Sequence, residues 1–450
     1  MQAAGTDAGR RFAVPTWLKL DNAAKIYPPS ATRRWQSMFR LSVTLTEPVD
    51  PEILARAQER TLERCPSFAV RLRHGLFWYY LEHLDGAPPV TMDVRNPMSR
   101  LNARENRHFL YRLLYYKNRI AVEFFHVLCD GTGGMTFLLT LVNEYLRLAH
   151  GVDVSPAKYI LSCDDEPRAE EAEDAFQRYA GDVPNNRKET RAYHPRGHEV
   201  PFGRLLLISG EVPSDVLVAK AKERGVSVGV FLSSLLIWAV HEHQQQEKSA
   251  RLRRQPVKLC LPINLRRFFP SETLRNFSAF FNPGIDCRYG TYTFDEILTR
   301  MTHFIGMNVH EKELVAWMAY NVGAERNPVI RAVPLVIKKL ILKIVYRLQG
   351  DNYSSTTLSN FGVVKLPEEM AAHVDRIDFF LGTAAGRRTQ AGCVTYGGRT
   401  VIDFSRTFQE SDVERRFFSE LVRMGIPVKV ESNGTVSWMA AAGAGEAKGE

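Results

Sequence analysis

The stretch that most constrains this chain is "FLYRLLYYKNRIAVEFFHVLCDGTGGMTFLLTLVNEYL", from Phe109 to Leu146. Its first half reads as two strands joined at Lys117-Asn118, an antiparallel hairpin that runs straight into His126. A small-residue turn follows, and an apolar helix after Gly134 closes the unit. A hairpin feeding a helix is not a βαβ unit. "GTGG" also lacks the GxGxxG spacing, so a dinucleotide-binding loop is disfavoured. The glycines more simply let the backbone turn sharply and pass close to a ligand or a second strand.

With 450 residues, 45% of them hydrophobic, the chain has room for two cores or for one fold of two large lobes. Residues 1–163 read as a first lobe of mixed helix and strand that carries His126. In it, "DPEILARAQERTLERCP" places apolar residues at helical spacing, with Asp50 as cap and Pro51 in the first turn. Residues 164–200 are charged and poor in aliphatics, which suggests a surface linker. Residues 201–438 read as a second lobe, and 439–450 as a disordered tail. The start lacks a secretory pattern, and no apolar run is long enough to span a bilayer. The six cysteines are scattered without a CxxC pair, which speaks against a metal site and a disulfide framework and for a reducing, cytoplasmic setting. A net charge of +9 raises nucleic acid as a partner, but the basic residues are spread out and no nucleic-acid motif accompanies them. Such a surface also suits phosphate-bearing cosubstrates.

Three groupings compete for chemistry. "GVSVG", Gly225 to Gly229, matches a nucleophile elbow, but a helix precedes it where a strand is needed. Gly225 reads instead as a helix C-cap and Ser227 as the next helix's N-cap. Cys129 lies three residues beyond His126, where a small buried filler is expected rather than a nucleophile. His126 itself, at a strand end, is a rigidly carried imidazole suited to take a proton from an alcohol or amine near neutral pH. Asp130 in a packed turn needs a cationic partner. Gly131 is expected to let the chain reverse without a Cβ clash.

"HVLCDG" resembles the HxxxDG signature of the acyl-CoA-dependent acyltransferase superfamily, which includes chloramphenicol acetyltransferase, peptide-synthetase condensation domains, wax ester synthases and alcohol acetyltransferases. The order of other segments strengthens the likeness. "LERCPSFAVRL" looks like the early RHPxL segment, with Cys65 in place of histidine. "PSDVLVAKAKERGVSVGVFLSSLLIWAV", "LPINLRR", "RNFSAFF" and "TTLSNFG" are similar to successive second-lobe segments. The likeness runs from about residue 17 to 435, and "KLDNAAKIYPP" and "RTVIDFSRTFQESDVERRFF" look closest to bacterial alcohol acetyltransferase-like proteins.

The resemblance implies an α/β fold of two lobes with mixed sheets and a central channel between them. It implies no resident cofactor and no metal, with acyl-CoA as cosubstrate. A small alcohol or amine would accept an acetyl or other short acyl group, with His126 as general base and no acyl-enzyme. Ser359 or Asn360 would stabilise the oxyanion; neighbours on a strand face opposite ways, so only one of them would face the channel, and Ser359 is favoured. Asp130 would be structural, paired with Arg266 or, as second choice, Arg71. Phe125 stands where condensation domains have a second histidine, which favours a free acceptor, and the DFGWG segment of plant enzymes is absent. Two rival functions remain: a non-catalytic module binding a carrier or partner protein, and a membrane-associated lipid acyltransferase. The latter rests on residues 331–348, "RAVPLVIKKLILKIVYRL", a basic amphipathic segment; its competing reading is a helix that packs its apolar side on the second lobe.

Overall fold

The computed structural model describes residues 16–434, apart from 33–35, 95, 153, 182–188, 202–203, 346–350 and 384–387. The expected tail at 439–450 lies outside the described residues. A five-stranded sheet runs in the order Val374–Leu381, Met38–Leu45, Arg119–Phe125, Tyr111–Tyr116, Val90–Met92. An eight-stranded sheet has the path Ser278–Phe281, Val257–Asn264, Thr356–Val363, Thr389–Tyr396, Arg399–Arg406, Leu206–Pro213, Lys429–Ser432, and Gly284–Ile285 also pairs with Val257–Asn264. Parallel and antiparallel neighbours are mixed in both. A small sheet of Trp17–Lys19, Tyr79–His83 and Val70–His74 lies beside the first.

The hairpin pairs Tyr116 with Arg119 across its turn, and Met38–Leu45 lies along its other edge, with Phe39 opposite Phe124 and Leu41 opposite Val122. Alternation divides these strands. Phe39, Leu41 and Val43 join the apolar core with Ile120, Val122 and Phe124. Arg40 and Glu123 point the other way and form a buried pair at 3.0 Å. The helix Gly131–His150 is buried from Gly133 to Leu146, with a broad apolar face and one polar stripe of Thr136, Thr140, Asn143, Glu144 and Arg147. Gly151 ends it in the left-handed region at φ 68°.

Two expectations about chain organisation are corrected. The division at 163 and 201 does not separate the sheets, because Val374–Leu381 completes the first sheet by pairing with Met38–Leu45. Residues 164–200 are not a solvated linker where they are described. Glu171 pairs with Arg64 at 2.6 Å, Phe176 packs on Phe277, and Tyr193 is fully buried. Isolated aromatics amid charge give no periodicity, and a buried ion pair looks like surface in sequence.

Candidate active site

His126 follows directly on the second strand of the hairpin, and its backbone N–H donates to Ser37 at 2.8 Å. Its ring is half-buried. Tyr27 stacks on it with centroids 4.5 Å apart, and Phe39 meets it edge-on at 5.2 Å. The Nδ1 atom lies 3.1 Å from Oδ1 of Asn276. The Asn276 amide in turn donates from Nδ2 to Oδ2 of Asp21 at 3.2 Å. Asp21 is fully buried, accepts the Ala24 N–H at 2.7 Å, and has the Arg275 guanidinium 3.7 Å away.

This chain of contacts sets the tautomer. The amide of Asn276 faces the Asp21 carboxyl, so its carbonyl oxygen faces His126. A carbonyl oxygen only accepts, so Nδ1 carries the hydrogen and Nε2 keeps its lone pair. Burial lowers the His126 pKa, against the opposing influence of its own backbone, Asp130, Asn276 and Asp21. Burial raises that of Asp21, with Arg275 opposing. The lowered pKa favours the neutral ring, with the lone pair on Nε2. Sequence reasoning missed Asn276 and Asp21: both lie in segments that carried the resemblance, but their contact spans 255 residues.

Asp130 is the N-cap of the long helix, where Oδ1 accepts the N–H groups of Thr132 at 3.1 Å and Gly133 at 3.0 Å. Oδ2 accepts from Arg266 at 2.8 Å and from the Phe277 N–H at 2.8 Å. Both oxygens are thus occupied, which suits a brace rather than a proton carrier. Arg266 is equally satisfied, donating to the carbonyls of Thr273 and Arg275. Arg71 does not approach; it pairs with Glu82 in the small sheet.

The role expected of Gly131 falls to Gly133. A Cβ on Gly131 would meet only Phe379, at 3.5 Å, an ordinary contact. A Cβ on Gly133 would lie 1.8 Å from the Leu274 carbonyl oxygen. The helix start therefore passes against the backbone that leads to Arg275 and Asn276.

Ser359 and Asn360 lie on Thr356–Val363. Leu358 packs in a separate core with Leu235, Leu259 and Phe404, and Asn360, of the same parity, takes that face. It is exposed, and its Oδ1 accepts from Gly362 at 2.9 Å. By alternation Ser359 takes the opposite face. Next along the strand, Phe361 touches Tyr159 and Phe379, and Phe379 reaches Phe39. Cys129 is fully buried and its thiol is pushed well up by burial, so it is no nucleophile. Ser227 is an N-cap that accepts from Val230, with Gly225 at φ 67° before it. Among the described residues, no His, Cys, Asp and Glu group could hold a metal. Two large surface depressions, of about 520 and 670 Å³, lie elsewhere: the first amid ion pairs around Arg376, the second amid Arg191, Arg251, Arg254 and Arg288.

No family model matches this sequence, and no curated protein does. Solved structures do. TRI3 trichothecene 15-O-acetyltransferase from Fusarium sporotrichioides superposes with a TM-score of 0.56 at 9% identity, covering 91% of this chain and 94% of that one. F. sporotrichioides TRI101, complexed with coenzyme A and T-2, gives 0.59 at 11% identity over 93% and 100%. The starter condensation domain of rhizomide synthetase, bound to an acyl-CoA, gives 0.55 at 12% identity over 90% and 93%. This chain has the two-lobed α/β fold of these acyltransferases and condensation domains.

Removing one member of the buried Asp130–Arg266 pair leaves the other uncompensated. Denaturant unfolding of Asp130→Ala should therefore show a loss of roughly 3–5 kcal/mol. Gly133→Ala should cost about 1–3 kcal/mol, because the Leu274 backbone must move, while Gly131→Ala should leave the midpoint nearly unchanged.

Proposed function

From this shared fold, we propose that the chain is an acyltransferase that moves an acyl group from the thioester of acyl-CoA to a hydroxyl or amine. The observation that carries the reading is the His126–Asn276–Asp21 chain, which holds Nδ1–H and leaves Nε2 as the base. A third group orienting the base is the arrangement that general-base chemistry requires.

Nε2 of His126 takes the acceptor's proton as the acceptor oxygen or nitrogen bonds to the thioester carbon. The carbonyl electron pair moves onto oxygen, and the Ser359 hydroxyl donates to the oxyanion. Collapse breaks the C–S bond. The thiolate leaves with the proton held on the imidazolium, giving ester or amide and free CoA. The acyl group never bonds to the protein. Asp130 and Arg266 position His126 without touching substrate. The oriented imidazole favours this reading over a non-catalytic module, which needs no tautomer control. The substrates of this reading are an acyl-CoA and a small alcohol or amine; a carrier-bound donor enters by the same chemistry.

A thiol-release assay with a panel of acyl-CoAs and acceptors tests it. His126→Ala should lower turnover ~10²–10⁴-fold with the fold intact. An active, folded alanine variant would sink the mechanism. For the oxyanion donor, Ser359→Ala should lower kcat roughly 10²-fold with little change in KM, and Asn360→Ala should not. The reverse pattern would move the role to Asn360.

The pH profile follows from the lowered His126 pKa. The free base exists above the folded pKa, which lies below the ordinary value of 6.5. So kcat/KM should be flat near neutrality and fall only as pH drops below that value. The contribution of neutral His126 to stability has the same sign, present above the unfolded pKa and lost as pH falls through the folded one.

A further inference from the structure

The helix Leu335–Val345 sits on the molecule with its apolar arc outward. Its inner side is anchored through two residues. The Leu335 N–H donates to Leu76 at 2.9 Å. Lys338 is buried, with Nζ 3.6 Å from the Trp78 ring centroid and donating to the carbonyls of Phe77 and Arg331. Burial lowers the pKa of that lysine. The packing of the apolar side on the second lobe, one of the two sequence readings, is therefore contradicted: Leu335 and a lysine face inward. Residues 346–348 of the segment lie outside the described residues.

Val336, Ile337, Leu340 and Ile341 face solvent, with Val336 80% and Leu340 62% exposed. At 100° per residue these four share an arc of about 140°. Val329 and Ile330 on the preceding turn, and Leu76 and Phe77 beside the helix, are exposed as well. A contiguous apolar surface of this kind marks an interaction site.

Charge identifies the occupant. From 326 to 350 the sequence carries Arg326, Arg331, Lys338, Lys339, Lys343 and Arg347 and no acidic residue. Arg331 is exposed and makes no ion pair among the described residues. With Lys338 turned inward, the described cations beside the arc are Arg331 and Lys339, and the segment 326–350 carries no acidic residue, which matches the interface of an anionic bilayer. The helix's 11 residues reach only about 16 Å, too short to cross a bilayer, and no described single helix is long and apolar enough to do so. We propose that this face is an interfacial docking surface for an anionic lipid bilayer. It adjoins the candidate site, because the Tyr27–Ser30 turn packs against this helix and Tyr27 stacks on His126. The proposal does not depend on the acyl-transfer reading.

Flotation of the full chain tests it, with vesicles of phosphatidylcholine alone and of equal parts phosphatidylcholine and phosphatidylglycerol, at low and high salt. The wild type should float with the anionic vesicles, and salt should weaken this. Val336→Glu with Leu340→Glu should reduce the bound fraction by at least ~10-fold at an unchanged melting temperature. Val336→Ser with Leu340→Ser should act in the same direction if the glutamates disturb folding. Failure of the wild type to float, equal binding to both vesicles, or binding indifferent to the substitutions overturns the proposal. So does a dimer in light scattering that the substitutions dissolve, which would assign the face to a second copy.

Discussion

The structure turns on one carboxylate. Asp130 accepts from Thr132 and Gly133 at the start of the long first-lobe helix, and from Arg266 and the Phe277 N–H in the second half of the chain. Four donors from two parts of the fold converge on one buried side chain. Such a buried pair contributes little net stability over an apolar isostere, yet losing one partner is costly. Its consequence is geometric. The Arg275 and Asn276 backbone is fixed against the helix start, and the Asn276 side chain is thereby brought to His126. The close pass at Gly133 belongs to the same junction.

What this junction holds is an oriented imidazole, made by placement rather than by an unusual residue. Asn276 transmits orientation from Asp21 to the imidazole without adding a charge beside it. The aromatic walls of Tyr27 and Phe39 supply the desolvation that keeps the ring neutral. A carboxylate in direct contact with Nδ1 would raise the His126 pKa more than the neutral amide does, and burial keeps it lowered. The N-terminal segment is therefore part of the site: Asp21, Ala24 and Tyr27 all come from it.

Much of this was legible in the sequence because it is local. The hairpin at Lys117-Asn118, the caps Asp50, Ser227 and Gly225, and the turn after His126 follow from alternation, capping and glycine placement within a few residues. The need of Asp130 for a cation was legible too; which arginine supplies it depends on a contact 136 residues away. The illegible parts are all long-range. Val374–Leu381 alternates like any strand, and nothing local says that it joins the first sheet. Gly131 and Gly133 look alike until the Leu274 carbonyl is in place. Buried Phe176 and Glu171 are hidden because their partners lie far along the chain. The outward face of Leu335–Val345 is the same case: periodicity shows an apolar side but not which side the rest of the fold covers.

The central claim is that the fold presents His126 as a neutral imidazole with Nδ1 protonated and Nε2 free. Nitrogen NMR of histidine-labelled protein, with His126 assigned by its absence in a His126→Ala sample, reads this directly at neutral pH. The account predicts a neutral ring in the Nδ1–H form, which shifts toward the other tautomer or toward mixture when Asn276 is replaced by alanine. A His126 found as imidazolium, or as the Nε2–H tautomer in the unaltered protein, would contradict it.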